Sequence, residues 1–168
     1  MNWSYDETSG RYYIEGARIS FTNFTGTENE YNRAGKKNFK LRLDEDLYNE
    51  LMDRGIRCSM REPREDGDEP LYTVKVGVYT NTDVYLLTRK AKNRLDYDNL
   101  DIVDHSISKG QVVNGEIDLS FHVSQNTQMS KPTNYLRCDE IYIPLRESRF
   151  DRKYENYGAE EEEPFSKL

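Results

Sequence analysis

The feature that most constrains the fold is a pair of alternating segments joined by a long polar loop. Large apolar side chains alternate with polar ones in residues 17–24 and again in residues 38–43. This period of two predicts two β-strands, each with one buried face, and it assigns Ile19 and Phe21 to the same face. Glycine and asparagine in the intervening loop, residues 25–37, favour turns. The stretch therefore predicts a two-stranded unit around which a β-sheet domain is organised.

The loop between these strands carries a cluster of cations, Arg33, Lys36 and Lys37, with aromatic residues on either side. Cations interleaved with aromatic rings are typical of single-stranded nucleic-acid binding, because charge follows the phosphates and rings stack on unpaired bases. A solvated hairpin tip next to a core strand has a similar composition. From these residues alone, both interpretations stay open.

Further alternating segments extend the β pattern along the chain. The additional predicted strands are residues 71–79, 84–88, 102–108, 117–124 and 135–145. Asn114-Gly115 is the strongest hairpin signal in the sequence. Residues 43–55 instead predict a helix, with Asp44 as its N-cap and acidic residues in its first turn. The pattern amounts to about seven strands with one clear α-helix.

Charge and hydropathy limit where a nucleic acid can bind. The 168 residues fit one domain, and a mean hydropathy of -0.97 with 33% charged residues indicates a polar, loop-rich chain. The formal net charge is -7, of which residues 151–168 carry about -3. Any phosphate-binding surface must therefore be a local patch.

Cysteine usage and hydropathy also bear on the compartment. Cys58 and Cys138 form no CxxC or metal-ligand spacing, which predicts reduced thiols in a cytosolic protein. No apolar run has the length of a transmembrane helix, so we expect no membrane association.

No arrangement of residues in the sequence predicts catalysis. His105 and His122 are the only histidines, and Asp104 and Ser106 flank the first of them. Sequence neighbours on the predicted strand would face opposite ways, which argues against a catalytic relay. The acidic residues 44–50 fit the first turns of a helix better than a metal site. We therefore predict no enzyme activity, cofactor or metal, with a nuclease as the enzymatic alternative.

The order of five motifs resembles a family of bacteriophage single-stranded-DNA-binding proteins. The motifs are IEGARISFTNFTG, NRAGKKNFKLRLDEDL, PREDGDEPLY, VNGEI and YLRCDEIYI, which together span residues 14–143. The resemblance implies an OB-fold in residues 1–150: a mainly β, five-stranded barrel, here with extra hairpin strands and one α-helix. It also implies sequence-nonspecific binding of single-stranded DNA during phage DNA replication or recombination, in the cytoplasm of the bacterial host cell.

Taken with the resemblance, the residues place phosphate contacts on cations and stacking on aromatic rings of one barrel face. The predicted phosphate contacts are Arg18, Arg33, Lys36, Lys37, Arg42, Lys75 and Arg89. The predicted stacking residues are Phe24, Phe39, Tyr72 and Tyr79. Each stacking ring is expected to contribute about 1–3 kcal/mol to binding.

Residues 151–168 predict a disordered acidic tail. Its distinctive residues are Glu160, Glu161, Glu162, Glu163 and Phe165. The resemblance implies that such a tail recruits replication or recombination proteins, and an acidic segment can also compete with DNA for a basic groove. The alternative function is an OB-fold protein–protein interaction module without nucleic-acid activity, which the acidic net charge favours. Monomer and homodimer both stay open, because exposed edge strands can pair between copies.

Overall fold

The computed structural model describes residues 1–30, 32–128, 130–147 and 150. These residues form β1 (Asn2–Asp6), β2 (Arg11–Ala17), β3 (Ile19–Asn23), β4 (Lys37–Leu43), α1 (Glu45–Asp53), β5 (Ser59–Arg61), β6 (Leu71–Val78), β7 (Asp83–Leu87), β8 (Lys92–Leu95), a 3-10 helix (Tyr97–Asn99), α2 (Asp101–Ser108), β9 (Ile117–Asn126) and β10 (Thr133–Pro144). The prediction of a mainly β fold is confirmed. The predicted disordered tail, residues 151–168, lies outside the described residues.

All the strands belong to one sheet that bends back toward its own start. Its order is β1-β2-β9-β10-β6-β4-β3, with β5 paired to β6 and the β7–β8 hairpin attached to β10. Strands β2 and β3 are separated by Arg18 alone, so they are successive halves of one bent segment. The first half pairs with β9 and the second with β4. Within the described residues, the hydrogen-bonded ladders leave this sheet open rather than closed.

The Asn114-Gly115 turn stabilises the bend instead of closing a hairpin. The side-chain amide of Asn114 accepts from the Ile19 backbone N–H and donates to the Ile19 carbonyl, each over 2.8 Å. Val112, before the turn, forms an isolated bridge with Leu145, whereas β9 pairs with β2 and β10. The hairpin prediction was therefore wrong, because the residues before the turn pair with a different part of the chain.

The core contains the apolar faces of the central strands. Val74, Val76 and Val78 of β6 are buried, as the alternation predicted. Phe24 and Phe39 are fully buried and stack on each other, with ring centroids 5.7 Å apart and an interplanar angle of 8°. Burial of large apolar side chains is the dominant favourable contribution to folding.

Helix α1 begins where the sequence predicted. The Asp44 carboxylate accepts a hydrogen bond from the Leu47 backbone N–H over 2.7 Å, which satisfies one of the helix's unpaired donors. Leu47 and Leu51 face the core one turn apart. Gly55, just beyond the helix, has a φ of +80°.

Residues 102–108 lie in α2, so the strand predicted there was wrong. Leu100 and Val103 are buried and Ile107 packs against the core, a spacing that follows the helical period rather than strand alternation. Asp104, His105 and Ser106 therefore do not alternate across a strand. In the structure, the Asp104 carboxylate accepts hydrogen bonds from the Thr25 backbone N–H and hydroxyl over 2.8 and 2.7 Å. Asp104 thus fixes the loop that follows β3.

Candidate nucleic-acid interface

A groove crosses the outer face of β4 and β6, between the loop that precedes β4 and the start of β10; we call it the tyrosine groove. Its cations are Arg33, Lys36, Lys37, Lys40, Arg57 and Lys75, and its aromatic residues are Tyr79, Tyr97 and Tyr135. No carboxylate is among the described residues that line it. On a chain with a net charge of -7, this is a strongly local positive surface.

Two of these cations face each other across the sheet. Lys40 of β4 and Lys75 of β6 are direct register partners. Like charges directly opposite each other destabilise a sheet. Within the described chain, neither lysine pairs with a carboxylate, and Lys75 Nζ donates instead to Asn32 Oδ1 over 2.9 Å. A bound anion would relieve this repulsion, so the pair suits a phosphate.

The ring of Tyr79 is held in place from two directions. It lies so close to Gly77 that a Cβ there would approach Tyr79 Cε2 to 2.6 Å. The Arg137 guanidinium carbon lies 3.9 Å from the ring centroid, within the range of a cation–π contact. Burial raises the pKa of the Tyr79 hydroxyl. The ring is therefore positioned before any ligand arrives.

The other two tyrosines complete the aromatic lining. The Tyr135 ring centroid lies 6.3 Å from that of Tyr79. Hydrogen bonds with Ser124 and with Arg137 lower the pKa of Tyr135. Lys37 Nζ lies 4.1 Å from the Tyr97 ring centroid and donates to the Tyr97 carbonyl, which ties the basic loop to the 3-10 helix.

A second groove continues from the first; we call it the phenylalanine groove. Its cations are Arg18, Lys40, Arg42 and Arg61, and its exposed apolar side chains are Phe21 and Met60. Lys40, Ser59 and Thr73 line both grooves, so the two are continuous. Beyond Arg18 and Arg42 the lining turns acidic, with Asp44, Glu45, Asp46 and Glu69 around Tyr72.

Most of the predicted contact residues lie in these two grooves. Arg33, Lys36, Lys37, Lys75 and Tyr79 line the tyrosine groove, and Arg18 and Arg42 line the phenylalanine groove. The fold thus brings together residues from the basic loop, β4 and β6. Their contact with DNA stays a prediction.

Four predicted residues lie elsewhere. The prediction that Phe24 and Phe39 stack on bases was wrong, because both rings are fully buried and stack on each other. Tyr72 packs on Tyr48, with centroids 4.5 Å apart, outside both basic grooves. Arg89 follows β7 and lies 3.8 Å from a Glu147 carboxylate oxygen, away from either groove.

The sequence did not predict six of the groove residues, which are Phe21, Lys40, Arg57, Arg61, Tyr97 and Tyr135. The sequence could have indicated Lys40, because it alternates with buried residues and so lies on the exposed face of a predicted strand. The two tyrosines come from distant parts of the chain and meet only in the folded protein. A local irregularity in β3, described below, turns Phe21 outward.

The described residues show no sign of a metal site, a membrane-spanning helix or a disulfide. Among the described residues, His, Cys, Asp and Glu side chains nowhere gather in threes as a metal site requires. No helix in that part of the chain combines the length and apolarity needed to cross a membrane. Cys58 and Cys138 are both free thiols.

The fold and groove define a class: a mainly β domain with a cationic, aromatic-lined face of the kind that binds single-stranded nucleic acid. The family described as "Putative phage ssDNA-binding domain" matches residues 7–163, and the chain belongs to this family.

Similar solved structures agree in fold. The single-stranded DNA-binding protein from bacteriophage Enc34 aligns with a TM-score of 0.53 and 10% identity, over 84% of each chain. A C-terminal truncation of that protein gives a TM-score of 0.50 and 11% identity, over 83% of this chain and 88% of the other. No curated protein sequence shows significant similarity to the chain.

Proposed function

We propose that this protein binds single-stranded DNA without sequence preference along the tyrosine groove. One observation supports this most strongly: six cations and three tyrosines line a continuous groove whose described lining includes no carboxylate. Family membership supports the same ligand. A groove that combines backbone charge with aromatic rings suits single strands, because paired bases do not expose their faces.

Each kind of side chain has a distinct role in this proposal. Arg33, Lys36 and Arg57 are exposed and contact phosphates, as does the Lys40–Lys75 pair at the centre. The tyrosines stack on unpaired bases, and every base offers a π-face, so affinity depends little on sequence. Because Gly77 and Arg137 already hold the Tyr79 ring, little side-chain freedom is lost there on binding.

The biological role extends this activity to phage DNA replication or recombination in the cytoplasm of the infected bacterial host cell. Residues 1–150 form the binding domain, and residues 151–168 form an acidic tail. The tail, through Glu160, Glu161, Glu162, Glu163 and Phe165, binds a replication or recombination protein or competes with DNA for the groove. The protein acts by binding rather than by catalysis, without a cofactor or metal.

A direct test is fluorescence anisotropy with a labelled oligo-dT strand and a duplex control, at low and moderate salt. The wild-type protein is expected to bind the single strand tightly and the duplex weakly. Its log affinity should fall with log salt by about 0.7 per phosphate contact. Absence of binding at low salt contradicts the proposal and favours the protein-interaction alternative, which a pull-down with and without the tail then tests.

A matched pair of arginine variants locates the site. Arg57 lines the tyrosine groove, whereas Arg64 lies in the charged loop before β6 and lines neither groove. Arg57→Glu should weaken single-strand binding and reduce its salt dependence, while Arg64→Glu should change both much less. Equal effects would show that general charge, rather than the groove, drives binding.

The oligomeric state needs a separate measurement. Within the described residues, β1 pairs only with β2, so its other edge is open to a second strand. Size-exclusion chromatography with light scattering distinguishes a monomer from a homodimer formed through this edge.

A further inference from the structure

Phe21 combines two features that stability does not explain. Its side chain is 78% exposed, more than any other large hydrophobic residue in the described chain. It is also the one non-glycine residue there with a positive φ, +45°. A bulky side chain in this region is strained, and such strain is concentrated at functional sites.

A β-bulge causes both features. Between Ser20 and Asn23, β3 advances three residues while its partner β4 advances two, from Lys40 to Asn38. The extra residue breaks the alternation that assigned Phe21 to the face of Ile19. The ring therefore turns to the outer face and contributes no core burial. Glycine would adopt the same backbone without strain, so folding does not require an aromatic ring at this position.

The surroundings of the ring indicate its ligand. Lys40 Nζ lies 5.1 Å from the ring centroid. The remaining groove cations are Arg18, Arg42 and Arg61, and no carboxylate is among the described residues that line the phenylalanine groove. An exposed aromatic ring among cations offers stacking to a base and neutralisation to its phosphates. An apolar protein surface would instead leave these cations desolvated without partners.

Lys40 connects this ring to the proposed DNA path, because its side chain lines both grooves. We infer that single-stranded DNA leaves the tyrosine groove past Lys40 and ends on Phe21, which stacks on a further base. The inference rests on the proposed function and deepens it: the site has a minimal part around the tyrosines and an extension that only longer strands reach.

The extension is tested with an oligo-dT length series from about 4 to about 16 nucleotides. Phe21→Gly removes the ring and also relieves the positive φ, so the variant should fold at least as well as wild type. It should lose about 5- to 150-fold in affinity for the longest strands, the range expected for one stacked base. It should match wild type for the shortest strands, and its salt dependence should be unchanged because no phosphate contact is lost. Phe21→Trp, which keeps a ring, should retain affinity at every length.

Tyr13→Ala is the control, since Tyr13 is 37% exposed on β2 and lines neither basic groove. It should change affinity at no length. Wild-type affinity of Phe21→Gly at every length overturns the stacking role. An equal loss at every length overturns the placement of Phe21 in an extension, because the ring would then belong to the minimal site.

The series also separates failure of this inference from failure of the proposed function. Tyr79→Ala should weaken binding at every length if the tyrosine groove is the minimal site. If that holds while Phe21→Gly has no effect, the inference fails and the proposed function stands. If wild type binds none of the strands, both fail.

Discussion

Two regions of the outer surface of the sheet differ in how their charges are paired. Around Arg11 of β2 and His122 of β9, Asp139 lies between His122 Nδ1, at 2.8 Å, and Arg11 Nε, at 3.5 Å. On the face of β4 and β6, Lys40 lies opposite Lys75, and no carboxylate of the described groove lining is near them. Paired charges support a fold, whereas charges of one sign left unneutralised favour a ligand of the other sign.

This difference explains how an acidic protein carries a nucleic-acid site. The net charge of -7 describes the whole chain, but attraction of a strand depends on the local field over a cleft. The acidic residues around Tyr72 begin where the basic grooves end, beyond Arg18 and Arg42. We therefore expect the boundary between the two signs to limit how far a bound strand follows the sheet.

The largest effect on stability is expected at Asp139. In Asp139→Ala, the partly buried His122 loses its hydrogen-bond partner and Arg11 loses its ion pair, so the free energy of unfolding should fall by about 1–3 kcal/mol. The affinity for oligo-dT should stay unchanged, because Asp139, His122 and Arg11 line neither groove. Urea denaturation and anisotropy measure the two quantities. Weaker DNA binding at unchanged stability would contradict this prediction, because it would give Asp139 a role in binding instead of in folding.

Lys40→Glu should produce the opposite outcome on the groove face. The new carboxylate faces Lys75, so a repulsive cross-strand pair becomes attractive and stability should rise by about 0.2–1 kcal/mol. Affinity should fall, and the slope of log affinity against log salt should decrease by about 0.7 if one phosphate contact is lost. Lys40→Gln, measured alongside, separates loss of the positive charge from gain of a negative one. A stabilised variant with wild-type affinity would show that DNA does not pass Lys40.

A smaller effect is expected from Gly77→Ala. The added Cβ would approach atoms of the Tyr79 ring to between 2.6 and 2.9 Å, so the ring must move away from its contact with Arg137. We expect affinity to fall by about 1 kcal/mol, the lower end of the range for a stacked base, with little change in stability. Anisotropy on this variant and on Tyr79→Ala should show losses in the same direction. Unchanged affinity would mean that the resting position of Tyr79 does not matter for binding.

The smallest effects on DNA binding are expected at Cys58 and Cys138, because neither residue lines a groove. Burial raises the pKa of Cys58 to about 11, and it raises the pKa of Cys138 well above its usual value. Because the thiolate is the reactive form, iodoacetamide at pH 8 should label both residues slowly in the native protein and quickly in urea. Mass spectrometry follows the labelling. Rapid native labelling of Cys138 would contradict its burial in β10.

How much the sequence could predict depended on whether the signal was local. The strand alternation, the Asp44 cap and the cations of the basic loop are local features, and the structure places them as expected. The same alternation argued against Phe39 as a base-stacking residue, since a period of two turns its ring toward the core with Leu41. It placed Phe24 on the polar face of the first strand, and the irregularity in the pairing of β3 with β4 reverses that face. For residues 102–108 a strand was predicted, although the spacing of Leu100, Val103 and Ile107 follows the helical period.

The remaining parts of the site depend on tertiary structure. Tyr97 and Tyr135 enter the groove from separate elements, and no sequence spacing connects them to Tyr79. The bulge that exposes Phe21 appears only in the pairing of β3 with β4. A sequence pattern assumes regular alternation, so it assigns such a residue to the wrong face.

The path of single-stranded DNA along the tyrosine groove is tested most directly by ultraviolet cross-linking of oligo-dT to the full chain. Mass spectrometry then identifies the peptides to which the oligonucleotide is attached. We expect cross-links in the peptides that contain Tyr79 and Tyr135, and with longer strands also in the peptide that contains Phe21. Cross-links confined to the peptides that contain Arg11 or His122, which line neither groove, would contradict this path.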